Sequence, residues 1–114
     1  MKDITEYQER TKLTAKPLAD DSKATRDLII CNWSMGLAGE TGELVDLIKK
    51  HVHHGHDLDL DKVVKEMGDV TWYLAMLANE LNISLEEVLK ANLIKLSSRY
   101  QNGFSEKASR ERNV

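Results

Sequence analysis

Apolar residues recur along most of this chain at intervals of three and four, the rhythm of helices that bury one face, and almost nowhere in the strict alternation of a half-buried strand. With one proline and six glycines to interrupt it, and Leu, Lys, Glu and Ala abundant, the pattern predicts an all-α fold, a helical bundle of four to five helices per subunit. A first helix is expected from Ile4 to about Thr14, then a loop around Pro17 ending in a capping residue, Asp21 or Ser22. The next helical stretch reaches about His51. Its glycines at 36, 39 and 42 predict a bend near Gly36 to Gly39 and hence two segments, since glycine costs a helix about 1 kcal/mol relative to alanine. The polar run HHGHDLD reads as a connection. Asp59 or Asp61 then caps a helix that runs to about Leu81 and is ended by Asn82, and Ser84 with Glu87 forms a capping box for a last long helix to about Tyr100. The tail is expected to be loosely ordered beyond Phe104.

A chain of 114 residues fits a single domain spanning 1–114, in which roughly two-thirds of the unfolded surface can be buried. Nineteen acidic and 16 basic residues are mixed along the chain, with no basic block, which argues against a nucleic-acid polymer as partner. Cys31 has no intrachain partner, the opening MKDITEYQER is too polar for a signal peptide, and the longest apolar run, VTWYLAMLA, falls far short of the roughly 20 residues of a membrane span. The expectation is a cytoplasmic protein that does not enter a membrane.

The candidate chemistry lies in a short echo. GETGELVDLI contains Glu40-x-x-Glu43, and KEMGDVTWYL contains Glu66-x-x-Asp69, on two different helices. At about 100° per residue, Leu37, Leu44 and Leu47 all fall within about 60° of Glu40, and Val70, Tyr73, Leu77 and Leu81 do the same around Glu66. A solvated acidic face would lie opposite the apolar stripe, whereas both pairs point along it, where unpaired carboxylates are costly. Four converging carboxylates require cations. Oxygen-only ligands favour Mg²⁺, with Mn²⁺ as a substitute, and the lack of Glu-x-x-His pairs disfavours a di-iron centre. Magnesium held in this way commonly serves a polyphosphate. On the last helix, Lys95 and Arg99 flank the apolar stripe beside Asn92 and can meet such phosphates, although long cationic side chains also snorkel readily to solvent. Trp33 lies two turns before Glu40 on the same stripe and reads either as core or as a stacking surface for a base. Trp72 and Met76 lie off the main stripe, which predicts their burial at a subunit interface.

GLAGETGELVDLIKK, followed by EMGDVTWYLAMLANELNISLEEVLKANLIKLSSRYQNGF, resembles the MazG-like nucleoside triphosphate pyrophosphohydrolases of the all-α NTP pyrophosphatase superfamily, over roughly residues 36–104, and EYQERT suits that family's first helix. The resemblance implies a bundle completed by oligomerisation, as a homodimer or homotetramer, and Mg²⁺-dependent hydrolysis of a nucleoside triphosphate, canonical or not, to monophosphate and pyrophosphate. It also implies Glu40, Glu43, Glu66 and Asp69 as metal ligands, Glu40 or Glu43 as the general base, and Asn92, Lys95, Arg99, Tyr73 and Trp33 as substrate contacts. The competing reading is a non-catalytic helical interaction module whose acidic pairs hold a structural cation or a basic partner. The four histidines of HVHHGH, His51 to His56, are assigned to a connection rather than to a zinc site, because ligands crowded within six residues seldom enclose a tetrahedron.

Overall fold

The structure is a computed structural model that describes residues 1–112. It contains α1 (Ile4–Thr11), continued by a 3₁₀ turn (Lys12–Thr14), then α2 (Lys23–His54), α3 (Leu60–Glu80), α4 (Leu85–Arg99) and a short α5 (Glu106–Arg110). Each helix begins on a side chain that satisfies backbone N–H groups the helix itself leaves open. Asp3 accepts from Glu6 N at 2.8 Å, Ser22 from Thr25 N at 3.2 Å, Asp59 from Asp61 N at 3.0 Å, Ser84 from Glu87 N at 3.3 Å and Ser105 from Ala108 N at 3.0 Å.

Four expectations need correction. α2 is one helix of 32 residues and does not break at its glycines. A cap, not a bend, ends it: Gly55 takes the left-handed conformation at φ 70°, and its N–H donates to the Lys50 carbonyl. The histidine run is therefore divided, with His51 to His54 in the last turn of α2 and His56 beyond it. His51 Nδ1 lies 2.7 Å from the His56 carbonyl oxygen, so this ring helps to close the helix end. The tail beyond Phe104 forms α5 through its serine cap, and the Tyr100 ring meets Phe104 at a tilt of 44° with centroids 5.4 Å apart. Residues 113–114 of that predicted loose tail lie outside the described residues. Finally, Met76 is buried within its own subunit, beside the segment 15–18 that follows the 3₁₀ turn, whereas Trp72 stays part-exposed and its Nε1 donates to Thr14 Oγ1 at 2.8 Å.

The principal packed unit is the α2–α3 hairpin. Trp33 and Gly36 meet Tyr73 while Glu40 meets Glu66, so residue numbers rise on one helix as they fall on the other, as an antiparallel pair requires. α1 lies across α3, and α4 rests on α1 rather than on the hairpin. Only Trp33, Ala75, Met76, Ala78 and Leu85 form the buried apolar core among the described residues. Large apolar side chains remain exposed on α2 (Val45, Ile48, Val52), α3 (Leu60, Val64, Met67) and α4 (Leu89, Leu93, Ile94). The accessible surface is 8692 Å², against roughly 6,300 Å² expected of a compact 13.0 kDa monomer. Its radius of gyration, 17.5 Å, likewise exceeds the roughly 13 Å of a compact chain of this length. No helix among the described residues is long and apolar enough to cross a membrane.

Candidate functional site

Glu40 sits near the middle of α2, and Glu66 faces it from the first half of α3. One carboxylate oxygen each from Glu40, Glu43 and Glu66 lie within 4.8 Å of one another. Glu40 Oε2 and Glu66 Oε2 are buried, and neither has a hydrogen-bond partner among the described residues. The hairpin thus holds like charges together at a partly buried site. Partial burial, followed by the charges of Glu43, Asp69 and Glu66 and the close approach of Glu66, pushes the Glu40 carboxyl up from 4.5 to about 7. Two orphaned oxygens with a third carboxylate beside them suit a hard divalent cation, which would supply the missing partner to each.

Asp69 is exposed, and it stands outside the trio though its charge reaches Glu40. It also faces α1: burial, and secondarily the Asp69 charge, raise the Tyr7 phenol above its ordinary value. Tyr7 was not singled out in the sequence, where it reads as one more aromatic on an amphipathic helix.

One turn before Glu40, α2 and α3 make a tight contact at Gly36 and Tyr73. A Cβ at position 36 would clash with the Tyr73 ring, so Gly36 is what lets that ring approach α2 so closely. Tyr73 meets Trp72 edge-on at 5.0 Å, and Trp33 meets Trp72 edge-on at 5.4 Å and Tyr73 at 6.1 Å. Trp33 is buried in this cluster, with its Nε1 lacking an acceptor among the described residues. Tyr73 and Trp33 are therefore brought together, about two turns along the hairpin from Glu40 and Glu66.

The cationic side of the predicted site is not assembled with them. Asn92 and Lys95 are exposed on α4, and no described hydrogen bond or ion pair joins either to an acidic pair. Arg99, half-buried, holds its guanidinium 5.8 Å from the centre of the Tyr100 ring and lines a cleft of about 440 Å³ with Ser98, Tyr100, Ser105 and Arg112. In that cleft a hydrogen bond from Ser109, then the neighbouring guanidinium groups, lower the Tyr100 phenol from its usual value. Lys49 and Lys50 are engaged by Asp46, at 3.9 and 2.8 Å.

Sequence reasoning also missed Gln8 and Thr11, the buried polar residues of α1. Both fall in phase with Ile4, at steps of four and seven, so a polar residue on an apolar stripe was the available signal.

The model of the MazG nucleotide pyrophosphohydrolase domain matches residues 32–104. Among curated proteins the chain is similar to "Gene 37 protein" of Mycobacterium phage L5, with 40% identity over 74 residues that cover 61% of this chain and 65% of that protein. The match thus spans less than two-thirds of the relative's length. No solved structure matches the chain.

Proposed function

Because the chain belongs to the family of MazG nucleotide pyrophosphohydrolase domains, we propose that it hydrolyses a nucleoside triphosphate to the monophosphate and pyrophosphate with Mg²⁺, or Mn²⁺ in its place. The observation that carries this reading is the convergence of Glu40, Glu43 and Glu66 from two helices, with two buried oxygens lacking a hydrogen-bond partner among the described residues. Glu40, Glu43 and Glu66, joined by Asp69, would hold the cation. Bound there, it would neutralise charge on the triphosphate and acidify the attacking water.

The remaining work falls to the chain's own side chains. Glu40 or Glu43 accepts the proton of the water that attacks the α-phosphorus. Asn92, Lys95 and Arg99 bind phosphate oxygens, and the two cations offset the charge that builds on departing pyrophosphate. Tyr73 and Trp33 wall the approach to the carboxylates.

α4 carries the cations yet leans on α1 in its own subunit, and its exposed Leu93 and Ile94 need cover. The site is therefore completed by a second copy in a homodimer, or in a homotetramer built from such dimers. The excess surface, on the order of 2,000 Å² per chain over a compact monomer, is in the range that obligate interfaces bury.

The test is a panel of canonical and modified ribo- and deoxyribonucleoside triphosphates, each incubated with Mg²⁺ or Mn²⁺ and assayed for pyrophosphate. Release of pyrophosphate with the matching monophosphate is expected for at least one of them. Silence across the whole panel with both ions would leave only a cation-binding interaction module.

A further inference from the structure

Gln8 is 8% exposed on α1, and its amide group is committed entirely to another part of the chain. Nε2 donates to Asn79 Oδ1 at 2.9 Å and to the Ile83 carbonyl at 2.8 Å, and Oε1 accepts from Leu85 N at 2.7 Å. Asn79 Nδ2 donates to Thr11 Oγ1 at 3.2 Å, and Thr11 Oγ1 donates to the Gln8 carbonyl at 2.6 Å, which closes the network on α1. Its partners bracket one feature. Asn79 lies in the last turn of α3, Ile83 in the turn that follows, and Leu85 begins α4.

The turn pivots on Asn82, whose φ of 56° is the left-handed conformation that asparagine tolerates, and Ile83 N donates back to the Ala78 carbonyl at 2.8 Å. Because α4 packs on α1 and little on the hairpin, the direction of this turn sets the direction of the helix. Arg99 lies fourteen residues beyond Leu85, a lever of about 21 Å at 1.5 Å per residue, so an error of about 10° at the turn displaces it by nearly 4 Å. A displacement of that size exceeds the tolerance of a charge-assisted hydrogen bond.

We propose that Gln8 is a positioning residue, whose amide fastens the α3–α4 turn to α1 and so aims Asn92, Lys95 and Arg99 at the triphosphate. The assignment of those three residues to phosphate rests on the function proposed above. Among the described residues, the other α1 bonds to this region are weaker substitutes: Thr11 Oγ1 accepts from Asn79 on α3 and so does not reach α4, and the Thr5 hydroxyl donates to Glu86 Oε2 at 3.3 Å in an exposed position, where water competes.

Gln8→Met keeps the length of the side chain and removes all three hydrogen bonds, and Gln8→Glu retains an acceptor for Leu85 N. The full-length variants are compared with the wild type by hydrogen exchange without ligand, by titration with Mn²⁺ alone, and by steady-state hydrolysis of the best nucleotide. Gln8→Met is expected to lose protection about tenfold in residues 83–99 while α2 keeps its own, to bind Mn²⁺ unchanged, and to raise KM about tenfold with a smaller fall in kcat. Gln8→Glu should recover part of the KM. Equal loss of protection in α2, α3 and α4 would reduce Gln8 to ordinary core packing, and unchanged protection of α4, or a loss confined to kcat, would overturn the proposal. If the wild type hydrolyses nothing, the proposed function falls while the exchange comparison still decides whether Gln8 fastens α4.

Discussion

Glu40 and Glu66 carry the residue-scale conflict of this protein: two acidic side chains on the packed faces of adjoining helices, each with a buried oxygen that has no hydrogen-bond partner among the described residues. In the metal-free protein the conflict is relieved by protonation. The Glu40 carboxyl is raised from 4.5 to about 7, so the folded state holds a proton that the unfolded chain releases over this interval. The contribution of Glu40 to stability is full below pH 4.5 and is lost as pH rises to about 7. Thermal denaturation in a chelator should therefore show Tm falling across that window, with Mg²⁺ restoring it at pH 8. Asp46, held below its usual 3.8 chiefly by a hydrogen bond from Lys50, has the opposite sign, and its contribution is lost only in stronger acid. The matching substitution is Glu66→Gln. It removes a proposed metal ligand and one like charge together, so turnover should vanish while the metal-free Tm stays equal or rises. A large fall in metal-free Tm would instead mark Glu66 as one half of a structural ion pair.

At the scale of elements, α2 decides the geometry, and its glycines differ in kind. At Gly36 a methyl group meets the Tyr73 ring, which Trp33 and Trp72 hold in place, whereas at Gly39 nothing lies within 4 Å of an added Cβ. Gly36→Ala is expected to cost about 1–3 kcal/mol through overpacking, despite the gain in helix propensity. Gly39→Ala should gain about 0.5–1 kcal/mol from propensity alone. Chemical denaturation of the two variants separates these effects, and equal shifts would contradict the packing account. The same residues explain what the sequence could convey. Glycine propensity alone predicted a bend, because the sequence does not display the ring that fills the space of the missing side chain at Gly36. The phase of Glu40 and Glu66 was legible, since it depends only on a helix's own period. Capping by Ser22, Asp59 and Ser84 was legible for the same reason, each cap being a local bond. Gln8 and the lean of α4 on α1 were not, because they depend on contacts across more than 70 positions, as from Gln8 to Asn79 and Leu85.

For the whole molecule, the decisive quantity is surface left uncovered. The chain exposes 8692 Å², and α4, with Leu93 65% and Ile94 70% exposed, has its candidate phosphate residues on a helix that packs chiefly on α1 and little on its own carboxylate hairpin. If α4 of one copy serves the carboxylates of another, inactive variants should complement each other. Glu66→Gln destroys the carboxylate half of a site, and Arg99→Ala the phosphate half. In a mixed dimer one site inherits both lesions and the other inherits neither. Random exchange of an equal mixture makes about half of the dimers mixed, so about a quarter of all sites should regain full activity. That recovery should appear only after subunit exchange, with the mixture eluting at or above twice the 13.0 kDa chain mass in light scattering. A mixture no more active than its components would place both halves of the site in one chain. α4 would then have to fold back onto its own hairpin when nucleotide binds, and Leu93→Asp, which should split the oligomer, would leave kcat/KM intact instead of abolishing it.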